Sequence, residues 1–490
     1  MPSAIAELTP TTLWSSFDDL TTVPRPSKRE QQVQAWARAW AEEHGFERRE
    51  DAAGNIIVVV PATPGREAAP VVVIQAHLDM VCEKNRGVEH DFDRDPIRTR
   101  IEDGWVVAEG TTLGADNGIG VAAAMAAAID PEVVHGPLEL LFTADEETGL
   151  TGATHLDASL VRGRILLNLD TEEDGVLCVG CAGGADSRLR LPLERAAAAA
   201  EAPVRSLTLR GLSGGHSGMN IHENRGNAIR LLARILDEAG RRGLPYELID
   251  LDGGDKSNAI PREAESLIAI ADSDLDSWNA YLDDRRSSLA LELSGIEKNI
   301  ELALSPGSSD LTPLTPDSAT RLLGLVLAIP HGVLGMSPAI PGLVESSNNL
   351  AAVHSGDAAA DLIASSRSSL EPALESIRAS IRASASLSGA TCEIHDAYPG
   401  WQPNPASAVT ELLREVYRKI WGHDPEVLAV HAGLECGLLG ERIPGLDMIS
   451  FGPTILGAHS PDERVEIAAV ERFWSALKLA LDRLSRDGSS

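Results

Sequence analysis

Cysteine is scarce and scattered in this 490-residue sequence, which contains Cys82, Cys178, Cys181, Cys392 and Cys436. An odd and sparse set in a long chain does not suit a disulfide framework and favours a reducing compartment. Cys178 and Cys181 form a Cys-x-x-Cys pair, a spacing that resembles a redox or zinc motif. Because no second pair accompanies it, we interpret these two residues as ordinary buried thiols.

Basic and aromatic residues are also few. Lys and Arg number 42 against 73 Asp and Glu, which gives a formal net charge of -31. Nucleic acids and anionic membranes are bound by clustered Lys and Arg, so this balance argues against both partners. An acidic protein can concentrate cations, although a highly soluble surface explains the charge equally well. With aromatic residues at 4%, the core must consist largely of Ala, Val, Leu and Ile.

Long apolar stretches are missing as well. No run approaches the roughly 20 residues of a membrane-spanning helix, and the longest, residues 324 to 336, is interrupted by Pro330 and His331. The first ten residues lack the basic and then apolar segments of a signal peptide. We therefore expect a cytoplasmic protein with no membrane segment. Its length predicts two or three domains.

The sequence does contain a series of apolar strands that end in charged or polar residues. Residues 71–74 are four consecutive β-branched residues, which is typical of a buried strand in a parallel sheet. Residues 138–144 and 164–170 have the same character. Strands that alternate with helical segments predict a mostly parallel α/β sheet, and such sheets bind ligands at the carboxyl ends of their strands.

Five residues have metal-binding side chains at the end of a strand, at the opening of a helix or in a loop bounded by Gly and Pro: His77, Asp116, Glu147, Asp170 and His459. One catalytic zinc ion usually takes three protein ligands, so two His and three carboxylates fit two ions if one carboxylate bridges them. Mixed nitrogen and oxygen ligation suits zinc, with manganese or cobalt as substitutes. Any single carboxylate of the 73 could be a surface residue, but successive positions at strand ends favour a site.

Two further acids lie beside these candidate ligands. Asp79 is two residues from His77, where it can accept a hydrogen bond from the imidazole and fix its orientation. Glu146 precedes Glu147 and can act as general base toward an attacking water, and later as acid toward a leaving amine.

Three segments resemble those of a known family: residues 75–85 (QAHLDMVCEKN), 112–120 (TLGADNGIG) and 145–149 (DEETG). They are similar to the dinuclear-zinc aminopeptidase and aminoacylase clan, and in particular to aminoacyl-histidine dipeptidases, the Xaa-His or cytosolic nonspecific dipeptidases. The resemblance implies a zinc-exopeptidase-like α/β fold whose sheet is flanked by helices, with an inserted α+β lid domain of two similar halves. We divide the chain into a catalytic domain, 1–186 and 397–490, and a lid domain, 187–396.

The resemblance also implies a role for each residue of the catalytic domain. Asp116 would bridge two zinc ions, His77 and Asp170 would complete one, and Glu147 and His459 would complete the other. Asp79 would be the orienting acid and Glu146 the general base. An Asp rather than a Glu at position 170 is the dipeptidase-like choice within the family.

Four lid or pocket residues match family positions that contact the substrate. His216, in the segment GLSGGHSGMNIH, would stabilise the oxyanion of the tetrahedral intermediate. Asn258 and Arg367 would hold the substrate, and the guanidinium of Arg367 suits the terminal carboxylate of a dipeptide. Gly433, in the segment HAGLECG, would lie near the substrate, and Glu435 lies in the same segment. The alternatives are that His216 lies incidentally in a glycine-rich turn and that Arg367 is a surface residue.

Together these features predict a dipeptidase that cleaves Xaa-His and other dipeptides, β-Ala-His included, with a zinc-held hydroxide and Glu146 as base. The alternatives are a related two-zinc tripeptidase, carboxypeptidase or N-acyl amino acid deacylase and, from another class, a non-catalytic peptide-binding protein. The presence of every expected ligand and of Glu146 disfavours the last. We expect small dipeptides as partners, and either a monomer or a homodimer, because two lid halves can imitate a dimer within one chain.

Overall fold

The computed structural model describes residues 4–197, 202–338, 340, 342–394 and 397–486. In chain order, its strands are β1 Glu47–Glu50, β2 Ile56–Val60, β3 Val72–His77, β4 Thr99–Glu102, β5 Trp105–Ala108, β6 Leu138–Thr143, β7 Ile165–Asn168, β8 Val176–Cys181, β9 Gly183–Pro192, β10 Val204–Arg210, β11 Gly215–His216, β12 Glu247–Leu248, β13 Asp252–Gly253, β14 Ala259–Ile260, β15 Ala264–Ala269, β16 Glu301–Pro306, β17 Gly332–Met336, β18 Val344–Ser355, β19 Ala359–Ser368, β20 Thr391–Ile394, β21 Glu426–Val430, β22 Asp447–Ser450, β23 Ile455–Leu456 and β24 Arg464–Glu466. Its α-helices are α1 Thr11–Thr21, α2 Gln31–Glu43, α3 Ala115–Ile129, α4 Glu146–Gly149, α5 Thr151–His155, α6 Ala228–Arg241, α7 Leu275–Glu292, α8 Pro316–Ala328, α9 Glu371–Ser388, α10 Ala408–Trp421, α11 Glu435–Arg442 and α12 Ile467–Leu484.

The chain forms two compact units. Unit 1 comprises residues 1–180, 401–429 and 434–490, and unit 2 comprises residues 181–400 and 430–433. The boundaries expected from the sequence, 186/187 and 396/397, lie within a few residues of these breaks, although residue 396 itself lies outside the described residues. The sequence does not predict the return of residues 430–433 to unit 2.

Unit 1 contains an eight-stranded sheet with the order β1-β2-β6-β3-β7-β22-β8-β21. Strands β6, β3, β7 and β22 are parallel to one another, whereas β1 and β2 add to this core in antiparallel fashion. Every residue of β3 and β6 is buried, as expected for strands covered on both faces. The α/β fold class is confirmed, with parallel pairing concentrated in the centre of the sheet.

The polar sequence of residues 85–110 predicts an irregular segment, and this prediction is wrong for residues 99–108. Strands β4 and β5 form a hairpin, joined by Asp103 and Gly104 at positive φ, within a four-stranded sheet of order β23-β24-β5-β4. Val106 of β5 is fully buried opposite Val465 of β24. Because this partner lies far along the chain, the local pattern of residues 85–110 does not indicate a strand.

Unit 2 contains a ten-stranded sheet whose main path is β16-β10-β15-β13-β18-β19-β9-β20. One half runs β10-α6-β13-β15-α7-β16 along the chain, and the other runs β9-α8-β18-β19-α9-β20. In both halves the spatial order is fourth, first, third, second, and the two second strands, β13 and β18, join the halves. The topology matches the two similar halves expected, with one half inserted after the first strand of the other.

Cys178 and Cys181 are buried residues of β8, as expected for ordinary core thiols. Among the helices of the described residues, none combines the length and apolar character needed to cross a membrane.

Candidate active site

Three neighbouring parallel strands of unit 1 end at the same edge of the sheet. His77 of β3 pairs with Thr143 of β6, and Gln75 of β3 pairs with Asn168 of β7. The chain segments that leave these strands bear Asp79, Glu146, Glu147 and Asp170. This edge is where parallel α/β sheets bind ligands.

Asp116 and Asp170 lie around the imidazole of His77. Nε2 of His77 is 3.0 Å from Oδ1 of Asp116 and 3.4 Å from Oδ1 of Asp170. The ligand atoms of these three residues lie within 4.8 Å of one another. They form the first of two donor groups.

The second donor group shares Asp116 with the first. Nε2 of His459 is 3.2 Å from Oδ2 of Asp116 and 2.9 Å from Oε2 of Glu147. These three ligand atoms also lie within 4.8 Å of one another. Asp116 therefore directs one carboxylate oxygen to each imidazole, which is the arrangement of a bridging ligand.

Excess negative charge dominates the electrostatics of this cluster. Burial alone would lower the pKa of His77, but Asp170, Asp116 and Asp79 raise it well above its ordinary value. Hydrogen bonds to Asp116 and Glu147 raise the pKa of His459 to about 11. Divalent cations bound by these donors would neutralise the same surplus of carboxylate charge.

The donors fit a divalent metal. Two imidazoles and three carboxylates form a mixed nitrogen and oxygen set, which suits zinc, manganese or cobalt. Oε1 of Glu147 is buried and has no hydrogen-bond partner among the described residues. A buried carboxylate oxygen without a partner is costly unless it is a ligand.

Asp79 connects His77 with the start of α4. Its Oδ1 lies 3.5 Å from Nδ1 of His77, and its carboxylate accepts hydrogen bonds from Ser27 Oγ, at 2.7 Å, and from the backbone N–H of Glu146, at 3.0 Å. Burial opposes ionisation, but His77, Ser27 and the N–H of Glu146 lower the pKa of Asp79. Asp79 can therefore orient the imidazole as an ionised acceptor.

Glu146 is the first residue of α4 and lies close to the donors. Its ligand atom falls within 4.8 Å of those of His77 and Glu147. Hydrogen bonds from Thr148 and Thr151 to the carboxylate of Asp145 fix the turn in which it lies. Burial raises the pKa of Glu146 well above its ordinary value; His77 opposes this, and Asp170, Glu435 and Glu147 add to it.

Two buried residues that hold the ligands in place are absent from our sequence-based predictions. Glu463 accepts the backbone N–H groups of Leu113 and Gly114 with Oε2, at 2.8 and 2.9 Å, and that of Asp116 with Oε1, at 3.2 Å. Arg25 donates to the carbonyl oxygens of Leu78, Asp79 and Gly114. Nothing in the local pattern distinguishes either residue from a surface charge, so only their burial in the fold identifies them.

Glu435 lies beneath the sheet edge in unit 1. Its carboxylate is fully buried and accepts hydrogen bonds from Nε2 of Gln75, at 2.6 Å, and Oγ1 of Thr143, at 2.7 Å. Burial raises the pKa of Glu435 to about 7. Its partners are therefore residues of β3 and β6 that support the cluster.

His216 and Asn258 are neighbours in unit 2. His216 of β11 pairs with Ala259 of β14, and the carbonyl oxygen of Asn258 accepts the N–H of Ser217 at 2.8 Å. Nδ1 of His216 accepts the backbone N–H groups of Gly218 and Met219, at 3.2 and 3.0 Å. These acceptor contacts place the proton of the neutral imidazole on Nε2, which can donate a hydrogen bond to an oxyanion.

Arg367 and Gly433 both lie against Tyr398 in unit 2. Nη1 of Arg367 donates to the hydroxyl oxygen of Tyr398 at 3.0 Å, and a Cβ built on Gly433 would be 3.0 Å from Cε2 of Tyr398. Arg367 is 7% exposed, so the alternative of a surface arginine is wrong.

The chain belongs to peptidase family M20/M25/M40, whose model matches residues 73–483. It is 43% identical over 476 residues to the cytosol non-specific dipeptidase of Escherichia coli strain K12, with 97% of this chain and 98% of that protein covered. The crystal structure of aminoacylhistidine dipeptidase from Vibrio alginolyticus has a TM-score of 0.89 at 40% identity and covers 98% of both chains. The aminopeptidase PepT from Bacillus cereus shares the fold, with a TM-score of 0.56 at 16% identity over 98% of this chain and 100% of that one. The chain is thus a hydrolase of a metal-dependent peptidase family, and the resemblance noted in its motifs is confirmed.

Proposed function

We propose that this protein is a cytoplasmic metallo-dipeptidase that hydrolyses Xaa-His and other dipeptides, β-Ala-His included. The observation that supports this most strongly is the position of Asp116 at the carboxyl edge of a parallel sheet. One of its carboxylate oxygens belongs to each of the two donor groups. The similarity to two full-length dipeptidases supports the choice of dipeptides among peptidase substrates.

The proposed cofactor is a pair of Zn²⁺ ions, for which Mn²⁺ or Co²⁺ can substitute. His77 and Asp170 would hold one ion and Glu147 and His459 the other, with Asp116 shared between them. Such ions act as Lewis acids on a peptide carbonyl and lower the pKa of the attacking water.

Glu146 is the proposed general base and acid. Its carboxylate takes a proton from the attacking water while the water oxygen forms a bond to the peptide carbonyl carbon. Glu146 then gives that proton to the nitrogen of the departing amine as the carbon–nitrogen bond breaks. Asp79 keeps His77 in the tautomer and orientation that its ligand role requires.

Unit 2 is the proposed lid domain and supplies the groups that recognise the substrate. His216 would donate from Nε2 to the oxyanion, and Asn258, Arg367 and Gly433 would bind the dipeptide, with Arg367 taking the carboxylate. Recognition of both ends of a short peptide accounts for a preference for dipeptides. The active form is proposed to be a monomer or a homodimer.

The test is hydrolysis of a panel that contains Ala-His, β-Ala-His, a tripeptide and an N-acetyl amino acid. The protein is assayed after chelation, after restoration with Zn²⁺ or Mn²⁺, and as Glu146→Gln. Dipeptide cleavage should require metal and fall roughly a hundred- to ten-thousandfold in Glu146→Gln. Glu42→Gln, at an exposed position of α2, is the matched control and should retain full activity.

Three outcomes would contradict the proposal. Cleavage of the tripeptide or the N-acetyl substrate in preference to dipeptides would assign the protein to another hydrolase of this family. Full activity in Glu146→Gln would remove this residue as the base. Metal-loaded protein that binds dipeptides without cleaving them would be a binding protein.

A further inference from the structure

We propose that Tyr398 is a positioning residue that fixes Arg367 for the carboxylate of the dipeptide, and so makes the enzyme selective for peptides with a free carboxyl terminus. The inference rests on the proposed function for the identity of the ligand. Its structural basis lies wholly within unit 2.

Among the described residues, the guanidinium of Arg367 is held by a hydrogen bond at one nitrogen. Nη1 donates to the hydroxyl oxygen of Tyr398, whereas Nε is buried and has no partner in the described part of the chain. A carboxylate binds an arginine best through two parallel N–H donors, and Nε and Nη2 form one such edge. Anchoring Nη1 to Tyr398 leaves that edge for the ligand.

A cavity of about 250 Å³ adjoins this pair and is lined by both Arg367 and Tyr398. Ser257, the residue before Asn258, lines the same cavity, together with Arg188 and Asp186. Two arginines and one aspartate give the lining a net positive charge, which suits a carboxylate. The cavity thus brings the Arg367–Tyr398 pair next to a second predicted substrate-binding segment.

Tyr398 is held in place by its backbone and by two glycines. Its N–H donates to the carbonyl oxygen of Gly184 at 3.0 Å and its carbonyl oxygen accepts the N–H of Gly184 at 3.1 Å. A Cβ on Gly184 would lie 2.4 Å from the hydroxyl oxygen of Tyr398, and one on Gly433 would lie 3.0 Å from its ring. The ring therefore occupies space that these two glycines leave open.

The register of the sheet places Arg367 beside this ring. Arg367 of β19 pairs with Gly184 of β9, so an aromatic side chain over Gly184 is within reach of the guanidinium. This gives Gly433 a specific role: it makes room for the ring that holds Arg367.

The test compares binding of Ala-His with binding of its carboxamide, which lacks the carboxylate. Calorimetry is performed on metal-loaded protein in the Glu146→Gln background, so that hydrolysis does not consume the peptide. Kcat and KM for Ala-His are then measured with Glu146 present. The variants are Tyr398→Phe, which keeps the ring and removes the hydroxyl, and Gly433→Ala, whose Cβ would displace the ring. Tyr417→Phe is the matched control, because Tyr417 is buried in unit 1 and its hydroxyl has no hydrogen-bond partner among the described residues.

Tyr398→Phe should raise the Kd and KM for Ala-His roughly five- to tenfold, the scale of one ordinary hydrogen bond, and change kcat less than about twofold. Its affinity for the carboxamide should be unchanged, and Gly433→Ala should show the same selectivity loss. Tyr417→Phe should match the parent protein for both peptides.

An unchanged Kd for Ala-His in Tyr398→Phe, or an equal loss for both peptides, would overturn the inference. Equal binding of both peptides by the parent protein would also overturn it, because no carboxylate site would then exist. A parent protein that prefers Ala-His over the carboxamide but never cleaves it would refute the proposed function alone and leave the role of Tyr398 to be judged by the binding data.

Discussion

At the scale of single residues, three of the five candidate ligands, His77, Asp116 and Asp170, are each held by a neighbouring residue. Asp79 lies behind His77, and the side-chain amide of Asn117 donates to Asp170. Glu463 binds the backbone N–H of Asp116. Such neighbours commonly increase the affinity for the metal, because they restrict the movement of the ligand side chain.

The substitution Glu463→Gln tests whether such a neighbour contributes to metal binding at Asp116. The substitution replaces one acceptor oxygen by an NH₂ group facing backbone N–H donors, so the segment that precedes Asp116 should lose its anchor. We expect metal affinity to fall roughly 10- to 100-fold, as measured by competition with a chelating dye.

The matched control is Glu139→Gln. Glu139 is 1% exposed and also accepts two backbone N–H groups, those of Arg162 and Gly163. Its substitution should lower thermal stability without changing metal affinity. Equal losses of affinity in both variants would show that Glu463 acts through general stability and not through Asp116.

The sequence is informative about the ligands and not about the residues that support them. His77, Glu147 and Asp170 follow apolar strands, so a local pattern locates them. Arg25 and Glu463 are charged residues in proline-containing segments, a context typical of surface loops. Only pairing between distant segments places them in the interior, and a single sequence does not reveal such pairing.

At the scale of secondary structure, strands and helices follow from local pattern, but their neighbours in the sheet do not. For example, residues 264–270 have a strand-like pattern in the sequence and residues 273–290 a helical one, and the structure has β15 and α7 there. It does not predict that β9 pairs with β19, about 175 residues away, and so belongs to the second half of unit 2. The hairpin of β4 and β5 escapes prediction for the same reason.

The junction between the two halves of unit 2 gives a prediction at this scale. Gly254, just after β13, has φ +73°, and a Cβ there would lie 1.9 Å from the carbonyl oxygen of Ala351 in β18. Gly254→Ala should therefore destabilise the fold by about 3 kcal/mol, from backbone strain and from steric overlap. Thermal unfolding would measure the loss.

Gly243→Ala separates the two contributions. Gly243 has φ +76° but no atom within 4 Å of its Cβ position, so only the cost of the left-handed backbone, about 1 kcal/mol, should appear. Similar losses in the two variants would mean that β13 and β18 can separate slightly without cost.

At the scale of the whole molecule, buried histidines should limit the stability of this acidic protein at low pH. His431 is 7% exposed, and burial, with the nearby charge of Arg367, lowers its pKa to about 4. His222 and His216 act in the same direction. In the unfolded chain a histidine has its ordinary pKa of about 6.5.

The direction of the pH dependence of stability follows from the number of protons bound by the folded and unfolded chains. Between pH 6.5 and 4 the unfolded chain binds a proton at residue 431 and the folded chain does not, so stability present at neutral pH falls as the pH is lowered through this window. His431→Gln should lose the hydrogen bond between Nε2 and Ser347, at 2.7 Å, and be less stable at pH 7. On acidification from pH 7 to pH 4, the free energy of unfolding of His431→Gln should also fall by about 2 to 4 kcal/mol less than that of the parent protein.

Denaturant unfolding of both proteins at pH 7, 5.5 and 4 would measure this difference. His423→Gln, at an exposed position, is the control and should leave the pH dependence unchanged. If the difference in free energy of unfolding between His431→Gln and the parent protein were the same at all three pH values, the expectation would be contradicted.

The most direct test of the account is the number of metal ions bound per chain in the parent protein and in Asp116→Asn. Because Asp116 places one oxygen at each donor group, we predict two ions per chain in the parent protein. After equilibration with Zn²⁺ and gel filtration, Asp116→Asn should retain neither ion. It should also no longer cleave dipeptides. A single ion in the parent protein, or two ions retained in Asp116→Asn, would contradict a site in which this carboxylate is shared.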